Sequence, residues 1–208
     1  MRTELMFILD KSGSMAGLEA DTVGGFNAML KKQLLEDGEV NVTTLIFSDD
    51  SKLLHDRFPI QSIRPLKVSD YEVGGMTALY DAIGEGIKKT SNVLQYTRDT
   101  QTKVIFVIST DGEENASHKF DQHKIKTLIE ERRATGWEFL FLGANIDAVL
   151  AANTIGIPKE SAVEYIADSI GTEKNFEAVS EAISYMRKGK KLNSEWKIDI
   201  ENDLNTRK

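Results

Sequence analysis

The stretch LMFILDKSGS, residues 5–14, decides the fold. Its apolar part, Leu5–Leu9, runs directly into Asp10 and then into Ser12 and Ser14. A short, continuous apolar run is typical of a strand buried on both faces, as in a parallel sheet covered by helices. The stretch therefore predicts a buried first strand whose carboxyl end is followed by oxygen-bearing side chains at alternate positions.

Further strands and helices alternate along the chain. Val104–Ile108 and Phe139–Leu142 are apolar runs of the same kind. Between the runs lie longer stretches with apolar residues every three or four positions, which is the period of a helix. Such alternation predicts an α/β fold. The helical positions are Val23, Phe26, Leu30 and Leu34, then Leu79, Ile83 and Ile87, then Ile125, Leu128 and Ile129.

A hairpin is expected near residue 50. Val42–Phe47 and Lys52–Phe58 are strand-like and are separated by a short polar turn. We expect the second arm to be an antiparallel edge strand, with charges at Lys52, His55 and Arg57 discouraging further pairing. All histidines, His55 included, are expected at the surface. Gly24-Gly25 is expected to allow close packing of the first helix on the sheet.

The C-terminal third predicts one more strand, Ala162–Ile166, and a last helix with apolar positions from Phe176 to Met186. Beyond Gly189 the chain is charged, with Trp196 and Ile198 as its main apolar anchors. We therefore expect one domain over residues 1–188, and a charged tail or an added helix over residues 189–208.

Composition excludes several classes of protein. The 208 residues include 26 Lys+Arg and 33 Asp+Glu, for a net charge of −7, which argues against nucleic-acid and anionic-membrane binders. With 40% hydrophobic residues the chain can build a large core, and with no cysteine it has no disulfide, zinc–thiolate site or thiol nucleophile. No apolar run is long enough for a membrane span or a signal peptide, so we expect a cytoplasmic protein.

Two more segments bring oxygen atoms to the edge of the sheet where the first strand ends. Val104–Ile108 is followed by Ser-Thr-Asp111-Gly, and Gly-Gly-Met-Thr77 precedes a helix. The carboxyl ends of parallel strands form the ligand-binding edge of an open α/β sheet. Carboxylates and hydroxyls are hard donors that suit Mg²⁺, and Mn²⁺ accepts the same donors. The candidate metal ligands are Asp10, Ser12, Ser14, Thr77 and Asp111.

The mixture of donors indicates how such a site works. Two carboxylates and three neutral hydroxyls leave a divalent cation incompletely neutralised on its outward side. A carboxylate from a partner protein can then replace a water and complete the shell. The pattern therefore predicts a contact that the metal bridges.

These motifs resemble the metal-ion-dependent adhesion site (MIDAS) of the von Willebrand factor A (vWA) domain family. The matching residues are Asp10-x-Ser12-x-Ser14, Thr77 in GGMTALYDAI and Asp111 in TDGEEN, and the resemblance covers roughly residues 3 to 188. It implies a doubly wound, Rossmann-like open sheet of six strands in the order 3-2-1-4-5-6, with an antiparallel third strand and helices on both faces. It also implies that Ser12, Ser14 and Thr77 ligate the metal directly, and Asp10 and Asp111 directly or through water.

The resemblance implies a non-enzymatic binding module, since intracellular members of the family act in multi-protein assemblies, sometimes beside AAA+ ATPases. The main alternative is a Mg²⁺-dependent phosphatase of the haloacid-dehalogenase type, with Asp10 as nucleophile. Such enzymes usually have a second Asp where this chain has Ser12, and a serine hydroxyl is a poor general acid. A third alternative is a structural subunit in which the metal only joins three loops.

Three other acidic residues lie near the motifs. Asp81 is expected to interact with the positive N-terminal end of its helix. Glu113 and Glu114 are expected on the rim of the site without ligating the metal.

Overall fold

The computed structural model describes residues 2–97 and 102–207, and its centre is a six-stranded sheet in the order β3-β2-β1-β4-β5-β6. All neighbouring strands are parallel except β2 and β3, which are antiparallel. The predicted α/β class, strand order and antiparallel edge strand are confirmed. The strands are β1 (Arg2–Asp10), β2 (Glu39–Phe47), β3 (Ser51–Pro59), β4 (Lys103–Thr110), β5 (Glu138–Ala144) and β6 (Ala162–Tyr165).

Helices cover both faces of the sheet. One face packs against α1, α5 and α6, and the other packs against α2, α3 and α4. None of the helices within the described ranges has the length and hydrophobicity needed to cross a membrane. The helices are α1 (Glu19–Leu34), α2 (Leu79–Thr97), α3 (Gln122–Ala134), α4 (Ala148–Thr154), α5 (Ser169–Arg187) and α6 (Ile198–Arg207).

The position of the central strand β1 explains why its residues Leu5–Leu9 are all apolar. Leu5, Phe7 and Leu9 point into the core on the side of α1 and α5, whereas Met6 and Ile8 point into the core beneath α2. All five side chains are at most 2% exposed. Because both faces are buried, no polar position interrupts the run until the strand ends at Asp10.

The edge strand β3 differs from expectation. Lys52 is exposed as predicted, but His55 is only 7% exposed and its Nδ1 lies 3.0 Å from Thr44 Oγ1. Arg57 is partly buried because its guanidinium binds both carboxylate oxygens of Glu4, at 3.0 and 2.7 Å. The prediction that His55 lies at the surface is therefore wrong, and Arg57 stabilises the start of β1 through this ion pair.

In the glycine pair of α1, Gly25 allows close contact between two helices, and neither glycine meets the sheet as expected. A Cβ atom on Gly25 would lie 2.2 Å from Cδ2 of Phe176 in α5, whereas one on Gly24 would meet no described atom within 4 Å. Gly25 therefore lets α5 approach α1 closely.

The C-terminal segment contains the added helix, α6. Trp196 is 8% exposed, as expected of an apolar anchor. Ile198 is 48% exposed, so the prediction that it is an anchor is wrong, and Ile200, which is 2% exposed, is buried instead. Trp196 Nε1 donates to the Glu160 carbonyl at 2.9 Å. Lys197 Nζ donates to the carbonyls of Lys159 and Ala162, both at 2.9 Å. The segment is thus fastened to the residues at the start of β6.

Candidate metal centre

Adjacent strands bring the two candidate carboxylates to one edge of the sheet. Strands β1 and β4 pair in parallel with Leu9 opposite Ser109, so Asp10 and Asp111 both follow that pair. Asp10 Oδ1 accepts a hydrogen bond from Ser12 N at 2.7 Å, and Asp10 Oδ2 accepts one from Thr110 Oγ1 at 2.5 Å. Asp10 is thereby held in one orientation at the floor of the site.

From Ser12, whose backbone amide binds Asp10, the serine hydroxyls continue the contact to Asp111. Ser12 Oγ lies 3.2 Å from Ser14 Oγ, which donates to Asp111 Oδ1 at 2.6 Å. A Cβ atom on Gly112 would lie 2.9 Å from Thr77 Oγ1 and 3.5 Å from Ser14 Oγ, so the Thr77 hydroxyl borders the same space. The structure thus brings all the predicted side chains together, and the absence of a side chain at Gly112 keeps the space between them open.

Burial differs among these residues. Asp10, Ser12 and Thr77 are 1–3% exposed and form the floor. Ser14 is exposed and Asp111 is partly exposed, so the open side of the site faces solvent.

The two carboxyl groups occupy an environment that disfavours their charge. Burial raises the pKa of Asp10 above its ordinary value, although hydrogen bonds from Ser12 and Thr110 act in the opposite direction. Burial also raises the pKa of Asp111, and the nearby charge of Asp10 adds to this effect against the hydrogen bond from Ser14. A cation bound between the two groups would stabilise their ionised forms.

The donor set fits a small, hard divalent cation. It offers two carboxylates and three hydroxyls, and oxygen ligands of this type with added water suit Mg²⁺ and Mn²⁺. Within the described residues, no group of three or more His, Cys, Asp or Glu side chains is placed to hold a metal. A metal at this edge would therefore depend on the hydroxyls for much of its protein coordination.

The loop that carries Thr77 is held on one side by the loops after β1 and β2. Gly74 N donates to the Lys11 carbonyl at 2.8 Å, and Met76 N donates to Asp49 Oδ1 at 3.1 Å. Gly75 has a φ of +86°, and a Cβ atom there would lie 2.1 Å from Asp49 Oδ2. Glycine is therefore required at position 75, both for the backbone conformation and for the approach of Asp49.

On the other side, residues 114–117, here called the capping segment, satisfy the amide groups around the start of α2. Ala78, the residue before the helix, has no polar side chain that could cap it. Instead Thr77 N donates to Asn115 Oδ1 at 2.9 Å, Tyr80 N to Glu114 Oε2 at 2.9 Å, and Asp81 N to Ser117 Oγ at 3.0 Å. The segment after Asp111 thus fixes the position of the Thr77 loop.

The acidic residues beside the site have distinct roles. Glu113 is exposed, whereas Glu114 is half-buried within the capping segment, which the sequence did not indicate. Asp81 lies in the first turn of α2 as expected. Burial acts to raise the pKa of Asp81, but backbone N–H groups outweigh this effect and lower it. Its carboxylate accepts these bonds from residues 118–120, at 3.0, 2.9 and 2.9 Å.

Two buried tyrosines support the floor. Tyr71 is 1% exposed and its hydroxyl donates to the Asp10 carbonyl. Tyr165 is 3% exposed, and burial raises the pKa of its phenol to about 12, although a hydrogen bond with Ser109 acts in the opposite direction. Tyr71 lies in an irregular loop where apolar periodicity gives no signal, so sequence analysis missed it.

Comparisons with known proteins identify the architecture. No family model and no curated protein matches the sequence. Among solved structures, the vWF domain of the type V pili tip protein Mfa5 from Porphyromonas gingivalis matches with a TM-score of 0.63 and 11% identity, covering 89% of this chain and 96% of that one. Manganese-loaded TRAP protein from Plasmodium vivax matches with a TM-score of 0.61 and 17% identity, covering 84% and 73%.

A third match is proximal thread matrix protein 1 from the mussel byssus, with a TM-score of 0.59 and 16% identity over 88% of this chain. This chain spans only 46% of that protein's length. At these identities the likeness concerns the fold alone. The chain therefore has the fold of von Willebrand factor A domains.

Proposed function

We propose that this protein is a non-enzymatic, divalent-metal-dependent protein-binding module. Its metal ligands would be the MIDAS-type residues Asp10, Ser12, Ser14, Thr77 and Asp111, with Mg²⁺ as the expected ion and Mn²⁺ as an accepted one. The observation that carries the proposal is the continuous contact from Asp10 through Ser12 and Ser14 to Asp111, with Thr77 beside it.

The chain's own residues explain how the site would bind a partner. Asp10 and Asp111 supply negative charge, and the three hydroxyls add donors without further charge. A bound divalent ion would act as a Lewis acid whose outward position remains open to a carboxylate. Since Ser14 and Asp111 face solvent, an Asp or Glu side chain of a partner protein can reach that position.

A direct test measures the metal first and the partner second. Isothermal titration calorimetry with MgCl₂ should show binding to the full chain and none to Asp10→Ala, whereas Asp199→Ala, an exposed acid on α6, should bind normally. Affinity capture in Mg²⁺ and in EDTA should recover a partner only with the metal. Truncating one partner of a desolvated charge contact typically costs about 2–5 kcal/mol, so the Asp10→Ala variant should fail to capture it. Capture that persists in EDTA contradicts the mechanism.

The phosphatase alternative is less well supported. Asp10 is 1% exposed, and both its carboxylate oxygens already accept hydrogen bonds, which is unfavourable for a nucleophile that must reach a substrate. Ser12 occupies the position of the general acid. Hydrolysis of p-nitrophenyl phosphate that depends on Mg²⁺ and is lost in Asp10→Asn would favour the enzyme.

If Mg²⁺ only raised the melting temperature and recruited no partner, the alternative of a structural subunit would be correct.

A further inference from the structure

We propose that Glu114 is a positioning residue that sets the metal affinity of this site by holding the start of α2, and with it Thr77, against the loop of Asp111. The inference rests on the proposed function, since it concerns the same metal. It adds a residue that lies outside the ligand set.

The contacts of Glu114 are numerous for a half-buried side chain. Oε1 accepts hydrogen bonds from Ala116 N at 3.0 Å and Ser117 N at 2.7 Å. Oε2 accepts bonds from Ser117 Oγ at 2.7 Å and Tyr80 N at 2.9 Å. The carboxylate therefore folds its own segment and, in the same interaction, binds the first turn of α2.

This arrangement determines where the Thr77 hydroxyl lies. Thr77 comes two residues before α2 begins, and its backbone is bound to Asn115 in both directions, through Thr77 N to Asn115 Oδ1 at 2.9 Å and Asn115 N to the Thr77 carbonyl at 3.1 Å. Asn115 can hold this position only if the capping segment keeps its shape, and Glu114 supplies the bonds that shape it.

The negative charge of Glu114 gives a second reason to expect that this residue affects metal affinity. The N-terminal end of α2 carries a partial positive charge, which would oppose a cation placed beside Thr77. The Glu114 carboxylate contacts that end through Tyr80 N and offsets its field. Geometry and electrostatics thus act in the same direction. In Glu114→Gln the charge is lost, and one of the two acceptor oxygens becomes an NH₂ group that cannot accept the backbone hydrogen bonds.

The neighbouring residue provides a matched control. Glu113 has the same charge and lies in the same loop, but its side chain is exposed and makes no hydrogen bond or ion pair with any residue that the structure describes. Glu113→Gln therefore removes a charge from the vicinity without changing the cap. Ser117→Ala is a milder variant of the cap, because it removes one hydroxyl that joins Glu114 to Asp81 N.

The experiment uses calorimetry to titrate MgCl₂ into the wild-type chain, Glu114→Gln, Glu113→Gln and Ser117→Ala, well below each melting temperature. Loss of a residue that orients metal ligands typically lowers metal affinity about 10- to 100-fold, and we expect a loss in that range for Glu114→Gln. Ser117→Ala should show a smaller loss, and Glu113→Gln should bind like the wild type. The electron paramagnetic resonance spectrum of bound Mn²⁺ should change in Glu114→Gln, because the coordination geometry changes.

The outcomes separate the two proposals. If the wild type binds Mg²⁺ and Glu114→Gln binds as tightly as Glu113→Gln with an unaltered Mn²⁺ spectrum, Glu114 only stabilises the fold and this inference is wrong. If the wild type binds neither Mg²⁺ nor Mn²⁺, the proposed function fails and the inference fails with it. If Glu114→Gln does not fold, the Mg²⁺ affinity of Ser117→Ala tests the inference in its place. An affinity equal to that of the wild type would then overturn the inference.

Discussion

The Ser14 hydroxyl donates a hydrogen bond of 2.6 Å to Asp111 Oδ1 across a sequence separation of 97 residues. This contact joins the loops that follow β1 and β4 and orients both donors toward the same space. Part of the ordering that a metal site requires is therefore supplied by the protein itself. Metal binding costs less free energy when the ligand side chains are already held in place before the metal arrives.

The first prediction concerns the cost of the Asp111 charge. In Asp111→Asn the side chain is a neutral amide. The unfavourable burial of a charged carboxylate, which raises the pKa of Asp111, is therefore removed. We expect the melting temperature in EDTA to rise, and each 1 kcal/mol gained would appear as a rise of about 2–4 °C in a chain of this size. Differential scanning calorimetry with EDTA and with Mg²⁺ measures both effects. Mg²⁺ should stabilise the wild type and leave the variant unchanged, and an equal response in both proteins would contradict the assignment of Asp111 as a ligand.

The second prediction concerns Thr110, whose side chain is buried and donates to Asp10. Thr110→Val keeps the shape of the side chain but removes this bond to a charged group, together with the weaker contacts of the hydroxyl with Gly112 O at 3.1 Å and Gly112 N at 3.2 Å. We expect the free energy of unfolding in EDTA to fall by about 1.5–3 kcal/mol, as measured by urea denaturation. Thr127→Val, on the exposed surface of α3, is the control and should change stability by about 0.5 kcal/mol at most. Equal effects at the two positions would mean that Asp10 does not depend on Thr110.

The third prediction uses the adjacent glycines of α1. Gly25→Ala places a methyl group into the ring of Phe176 and should lower the free energy of unfolding by about 1–3 kcal/mol. Gly24→Ala meets open space and should raise it by about 0.5–1 kcal/mol, because alanine loses less backbone entropy in a helix. Urea midpoints of the two variants should therefore shift in opposite directions, and a higher midpoint in Gly25→Ala would show that α1 and α5 are not in close contact there.

The fourth prediction is a dependence of stability on pH. Burial lowers the pKa of His55 below its ordinary 6.5, although a hydrogen bond with the Arg64 backbone and the charge of Asp70 act in the opposite direction. Below about pH 6.5 the unfolded chain thus binds a proton that the folded protein resists, and stability falls as the pH decreases. The free energy of unfolding, measured by urea denaturation from pH 8 to pH 5, should decline less steeply in His55→Gln than in the wild type. An unchanged slope in His55→Gln would contradict the prediction.

Much of the fold could be predicted because parallel strands leave a simple pattern. A strand such as Leu5–Leu9 is apolar at every position, and the residue that ends it lies at the ligand-binding edge. Asp10 and Asp111 could be assigned to the same place for this reason, before any distance was known. The predicted first strand did not include Glu4, however, because that residue is buried through its ion pair with Arg57 and not through its hydrophobicity.

Other features depend on contacts that local patterns do not contain. Helix α4 spans only Ala148–Thr154, too short for a helical period to be recognised. Glu114 and Asn115 bind residues 34 and 38 positions earlier in the chain, and nothing near them in sequence indicates those partners. The prediction that Ile198 is an anchor was wrong because a short helix offers too few apolar positions to define its buried face.

The attachment of the C-terminal segment has a consequence for how far the protein can be shortened. A chain cut after α5 would lose the donors that Trp196 and Lys197 supply to the carbonyls of Glu160, Lys159 and Ala162. It would also uncover apolar surface beside β6, the outermost strand on that side of the sheet. Exposed apolar surface beside an edge strand can bind other chains, so such a truncation would favour self-association and precipitation.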